Sequence, residues 1–194
     1  MKSLNAVLLT AVLGLGLSLS ASAHEVVYTA PLLGSSEVPL AASPGTGALR
    51  VTLDLDLITM RVEVTFADLL GTTTAAHIHC CIAPGGNVGV ATQLPSFVAF
   101  PLGVHAGGYD HTFDMSLASS YNPSFVSSNG GTVGAAFNAF IAGLDARKAY
   151  FNLHTSAFPG GEVRGLLQPV PLPGAIVLLL PALGVLGGRA RRRS

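Results

Sequence analysis

Hydrophobic and polar residues alternate with a period of two along much of this chain. From Ala48 to Leu57, the residues Leu49, Val51, Leu53, Leu55 and Leu57 alternate with Arg50, Thr52, Asp54 and Asp56. That pattern places apolar side chains on one face of a strand and polar ones on the other. Met60 to Phe66 repeats it, with Val62, Val64 and Phe66 opposite Arg61, Glu63 and Thr65. Only Ile58 and Thr59 separate the two runs, which predicts a hairpin. Val26 to Leu33 predicts a first strand, ended by Gly34-Ser35-Ser36. Ala76 to Cys80, Tyr109 to Met115, Ala149 to Thr155 and Glu162 to Leu167 predict further strands. Short strands with Gly and Pro turns between them predict a mainly β fold, an antiparallel Greek-key-like β-sandwich or barrel.

One stretch departs from this period. Asn129-Gly130-Gly131-Thr132 offers a loop and an N-cap, after which Val133, Phe137, Phe140, Ile141 and Leu144 recur at helical spacing. The spacing predicts one short α-helix packed over the sheet, its aromatic residues in the core. Arg147 and Lys148 at its end suit the negative pole of the helix dipole.

The two ends of the chain follow other rules. Lys2, the uncharged run Leu4 to Leu19 and the small residues Ala21-Ser22-Ala23 have the plan of a secretory signal helix, cleaved by signal peptidase between Ala23 and His24. An uncleaved anchor is the alternative. At the other end, Val170 to Gly188 carries no charge and is long enough to span a bilayer as a transmembrane helix. Arg189, Arg191, Arg192 and Arg193 then mark the cytoplasmic side. The predicted organisation is a signal peptide at 1–23, one domain at 24–168 and a C-terminal segment at 169–194.

Locating the charges changes the meaning of the composition. The whole chain has 10 basic and 10 acidic side chains and no net charge. Between 24 and 168, however, the basic residues are Arg50, Arg61, Arg147, Lys148 and Arg164, against all ten acidic ones, a net charge of −5. The terminal segments carry the balancing positive charge. A domain of this sign suits secretion and excludes a nucleic-acid partner, which requires a basic surface.

The candidate chemistry lies in Ala76-His77-Ile78-His79-Cys80-Cys81. On a strand, His77 and His79 project from one face and Ile78 enters the core. Far along the chain, Asn152 and His154 share one face of the strand from Ala149 to Thr155. His77, His79 and His154 could supply three nitrogen ligands to copper or zinc, with Cys81 or a water as a further ligand. The alternative is that the three imidazoles hydrogen-bond neighbouring loops, with Glu37, Glu162 and Asn152 as ready partners. Cys80 and Cys81 are the only cysteines, and a ring between them, intermolecular pairing and free thiols all stay open. Strand alternation works against the first. The chain contains no G-x-S-x-G, H-E-x-x-H or phosphate-binding glycine loop, so no catalytic residue is assigned.

Several motifs stand in a recognisable order. They are Glu37-Val38-Pro39, Gly45-Thr46-Gly47-Ala48, Ala76-His77-Ile78-His79, Tyr150-Phe151-Asn152-Leu153-His154-Thr155 and Phe158-Pro159-Gly160-Gly161-Glu162-Val163-Arg164-Gly165. In that order they resemble the CHRD domain, named from chordin, over about Val26 to Leu167. The resemblance implies a secreted domain without an established enzymatic activity, and its histidine positions match His77, His79 and His154. The pair-plus-one arrangement is also similar to the copper site of copper–zinc superoxide dismutases.

At the C-terminus, Val170-Pro171-Leu172-Pro173-Gly174-Ala175 resembles the VPLPA-type variant of the bacterial PEP-CTERM sorting signal, with one residue inserted before the alanine. That resemblance implies processing by a membrane exosortase and delivery to the cell surface or extracellular matrix. A permanent tail anchor is the alternative. The expected function is non-enzymatic binding of a surface protein or polysaccharide, the alternative a copper- or zinc-binding or redox protein.

Overall fold

The computed structural model describes residues 24–171. The expected signal helix and C-terminal membrane helix lie outside the described residues. Within them, no helix is long and apolar enough to cross a membrane.

Eight strands form one antiparallel sheet. They are β1 (Glu25–Leu33), β2 (Thr46–Asp54), β3 (Thr59–Ala67), β4 (Thr73–His79), β5 (Gly107–Asp114), β6 (Tyr150–Thr155), β7 (Val163–Leu166) and β8 (Gln168–Pro169). The spatial order is β4-β6-β7-β1-β2-β3-β5, and β8 pairs with β1. The expected sandwich or closed barrel is thus replaced by a single curled sheet. Its β4 edge is covered by the segment that leads to β5: Phe97 N–H donates to the Ala76 carbonyl, Gly103 N–H to the Thr73 carbonyl and Thr73 N–H to the Val104 carbonyl. An irregular segment therefore occupies an edge that would otherwise expose unpaired backbone groups.

The alternation read from the sequence sets the inner face. Tyr28, Leu32, Leu49, Val51, Leu53, Met60, Val62, Val64, Ile78, Phe151, Leu153 and Val163 are all buried in one apolar cluster. The expected hairpin forms β2 and β3, but β2 stops at Asp54 rather than Leu57. The Asp54 carboxylate accepts hydrogen bonds from the N–H groups of Asp56 and Leu57, folding the chain into a turn. Leu57 is left exposed at the tip.

Among the described residues two α-helices, not one, pack onto the apolar core. The expected helix is α2 (Val133–Asp145), whose N-terminus is capped by the Thr132 side chain accepting from Ala135 N–H. It buries Phe137, Phe140 and Leu144. A shorter helix, α1 (Pro123–Ser128), precedes it, capped by Asn122 with Pro123 in its first turn. Its brevity hid it: six residues are too few to display a period. Among the described residues, pairing with β1 extends to Val170, whose N–H donates to the Val27 carbonyl.

Candidate metal centre

The histidines are placed by β4 and β6, neighbours at one edge of the sheet. Antiparallel pairing sets His77 opposite Asn152, Ala75 opposite His154 and His79 opposite Tyr150. Ala76, Ile78, Phe151 and Leu153 take the opposite face into the core. His77, His79 and His154 therefore emerge together, two from one strand and one diagonally across. Their ring centroids are 5.3 Å apart for His77 and His154, 6.0 Å for His77 and His79, and 6.1 Å for His79 and His154. One ring nitrogen from each lies within 4.8 Å of the other two.

Each ring is fixed by a single hydrogen bond to a backbone carbonyl. His77 Nε2 lies 2.6 Å from the Pro95 carbonyl, His79 Nδ1 2.7 Å from that of Val88, and His154 Nδ1 2.9 Å from that of Pro159. A carbonyl only accepts, so each of these nitrogens carries its hydrogen. The remaining nitrogens, His77 Nδ1, His79 Nε2 and His154 Nε2, are then lone-pair acceptors. All three are shielded from solvent and have no hydrogen-bond partner among the described residues.

Electrostatics keep these rings neutral. Burial lowers the pKa of His77, with the Pro95 hydrogen bond opposing and His154 adding to the fall. Burial pushes His79 down to about 4, and the positive charges of His77, His154 and Arg164 act in the same direction. Burial also lowers His154. Neutral imidazoles with buried, converging lone pairs form a ligand set for a borderline-soft cation. Carbonyl acceptors on the far nitrogens are the outer shell that holds such ligands in their tautomer.

A second polar group lies beside the histidines. Asn152, directly across from His77, donates from Nδ2 to Glu37 and to the Gly160 carbonyl. Burial pushes the Glu37 carboxyl up to about 7 against the opposing pull of Arg164. Arg164 places its guanidinium 3.4 Å from the centre of the Tyr150 ring, which also stacks on His79 at 4.7 Å. Gly161, with φ of 130°, sits against Asn152 and Glu37 so closely that a Cβ would meet Asn152 Oδ1 at 2.3 Å. Gly161, just past the turn at Pro159-Gly160, is thus a point of close approach.

The structure brings His77, His79 and His154, the three histidines singled out in the sequence, together. It does not bring Cys81 to them. Cys80 and Cys81 are disulfide-bonded to each other. Strand β4 ends at His79, so the cysteines lie beyond the alternation that opposed such a pairing. Both sulfurs pack on Gly143 of α2, and Cys81 Sγ lies 3.7 Å from the Ala139 carbonyl.

Of the expected hydrogen-bond partners, none of Glu37, Glu162 and Asn152 bonds His77, His79 or His154. Glu162 accepts from the hydroxyls of Ser43 and Thr155 and from the N–H groups of Leu70 and Gly71. Burial raises its pKa, but these four bonds outweigh that effect and hold it below the usual range. The three rings do bond neighbouring loops, as the alternative sequence reading has it, through the carbonyls of Val88, Pro95 and Pro159; the Tyr150–Arg164 contact lies outside that reading. Backbone carbonyls have no sequence signal; the Arg164 contact had one in the closing Gly-Gly-Glu-Val-Arg-Gly motif.

The family model for the CHRD domain matches residues 28–167. No curated protein matches the chain, and no solved structure does. The matched span covers β1 through β7 and contains all three histidines, so the chain belongs to the CHRD domain family.

Proposed function

We propose that this is an exported CHRD-domain protein that binds one copper or zinc ion through His77, His79 and His154. The observation that carries the reading is the grouping of three imidazoles with a ring nitrogen of each within 4.8 Å of the other two, while each ring commits one nitrogen to a carbonyl and keeps the other shielded and without a partner. A triangle with sides no longer than 4.8 Å has every corner within about 2.8 Å of a common point. Small inward movements of the rings bring that to the metal–nitrogen distance of about 2.0–2.1 Å. Metal analysis of the purified protein tests this. One equivalent of copper or zinc, lost when the three histidines are replaced by alanine, supports it; metal retained by that variant overturns it.

Export is the other half of the reading. It is supported by the small-residue site before His24, the apolar segment and the arginine cluster that follow Val170, and the negative charge of the domain between them. Signal peptidase and a membrane exosortase are the processing partners, and the cell surface or extracellular matrix is the destination. Truncation after Pro171 spares the pairing of β8 and Val170 with β1. It should redirect the protein from the surface; unchanged location contradicts the sorting role.

A second reading, non-enzymatic binding of a surface protein or polysaccharide, is favoured by an open depression of about 870 Å³ across β1, β2, β3 and β5. Pro31, Ala48 and Gly108 leave it shallow, and Arg50, Glu63 and Asp110 give it charge. Loss of matrix association in an Arg50→Glu variant that keeps its metal supports this reading, and unaltered association removes it.

A further inference from the structure

We infer that the three-histidine site selects a monovalent d10 ion, cuprous copper, over divalent zinc or cupric copper; this rests on the metal-binding reading above. The first ground is charge. The ligand group consists of three imidazoles, and among the described residues no carboxylate or thiolate joins it. Neutral ligands leave the full ionic charge on the bound metal.

The surroundings do not offset that charge. The three outer partners are the carbonyls of Pro95, Val88 and Pro159, not carboxylates. Histidines bonded to carboxylates become stronger, partly anionic donors; these do not. Neither Glu37 nor Glu162 bonds any of the three rings: Glu37 Oε2 accepts from Asn152, and Glu162 is held by its four donors. A fixed positive charge stands beside the site, since Arg164 lies on the Tyr150 ring that stacks against His79.

Burial turns this into selectivity. The three nitrogens are shielded from solvent. The cost of taking an ion out of water rises with the square of its charge, so an uncompensated divalent ion is penalised far more than a monovalent one. Coordination number acts the same way. Zinc is almost always four-coordinate, so three histidines leave its fourth position to a water that must enter a shielded site, whereas a cuprous ion is content with three nitrogens. No carboxylate or thiolate of the group fills that position, and Cys81 is held against α2.

The test is competition on the full chain under anaerobic conditions. Cu(I) held by ascorbate is titrated against a chromophoric chelator, Ag(I) serves as a redox-inert monovalent stand-in, and Zn(II) and Co(II) are titrated separately. We expect one Cu(I) or Ag(I) per chain, bound at least about a thousandfold more tightly than Zn(II). X-ray absorption of the copper form should show a cuprous edge with three nitrogen neighbours and no sulfur, which needs no variant. A His154→Gln variant, checked for folding by circular dichroism, should weaken Cu(I) binding.

Zn(II) bound as tightly as Cu(I), and lost with the histidines, overturns the valence selectivity while leaving the three-histidine site. A sulfur neighbour overturns the ligand set. Failure of every ion to bind defeats both readings.

Discussion

His77 and His154 stand on different strands with their rings 5.3 Å apart at 68°, and each is steered by a proline carbonyl, Pro95 for one and Pro159 for the other. The two prolines lie in segments that flank the sheet edge from opposite sides of the sequence. A proline has no N–H, so its neighbourhood carries one fewer donor to compete for that carbonyl. The ring orientations are therefore set by parts of the chain that hold no ligand, and the site is assembled only when the whole edge is folded.

Replacing His79 or His154 by alanine should reduce metal affinity on the order of a hundredfold or more, since loss even of an outer partner costs about 10–100-fold. Isothermal titration at fixed pH measures it. An affinity unchanged in either variant contradicts the assigned ligand set.

Acid should weaken the metal-free fold through the same groups. An unfolded histidine titrates near 6.5, whereas His79 in the fold titrates near 4 and His77 is also lowered. Between these values the unfolded chain binds protons that the folded chain refuses. Stability from these residues is complete above about 6.5 and is lost as pH falls towards 4. Glu37 has the opposite sign: the fold keeps a proton up to about 7 that the unfolded chain releases near 4.5, so its contribution declines as pH rises across that range. A Glu37→Gln variant should therefore gain stability more steeply than the parent between pH 4.5 and 6.5. Urea midpoints across that range read the slopes, and a shallower slope in the variant contradicts the assignment.

Much of this arrangement was legible in the sequence. Period-two alternation located β1, β3, β5, β6 and β7 and placed His77, His79 and His154 on polar faces. Helical spacing after Thr132 located α2. What escaped had physical reasons. The end of β2 depends on Asp54 capturing two N–H groups, a side-chain event that outweighs the apolar pattern of Leu55 and Leu57. The Cys80–Cys81 bond lies just past the end of β4, where alternation no longer applies. The single curled sheet, in place of a sandwich, follows from β4 and β5 lying at opposite edges, an ordering that local patterns do not encode.

Glu162 should matter more to stability than any other acidic side chain described. It is fully buried and satisfies donors on Ser43, Thr155, Leu70 and Gly71. Glu162→Ala strands those donors and should destabilise the domain by about 3 kcal/mol or more, with Glu162→Gln between the two because it keeps one oxygen. Chemical denaturation decides, and an alanine variant as stable as the parent contradicts the network.

Because Cys81 is turned to α2, a Cys80→Ser, Cys81→Ser double variant should keep its metal stoichiometry. Gly143→Ala, by contrast, pushes a methyl group to 2.3 Å from both sulfurs and should cost about 1–3 kcal/mol. Loss of metal in the double serine variant returns Cys81 to the ligand set.

Ring-nitrogen NMR reads the tautomer and the metal contact of all three histidines at once. In the metal-free protein at pH 7.5, the rings should be neutral, with hydrogen on His77 Nε2, His79 Nδ1 and His154 Nδ1. Addition of one equivalent of Cu(I) or Zn(II) should shift the other three nitrogens, His77 Nδ1, His79 Nε2 and His154 Nε2, together. Protonated rings, the opposite tautomers, or an ion that leaves these three resonances unmoved would contradict the three-histidine metal site.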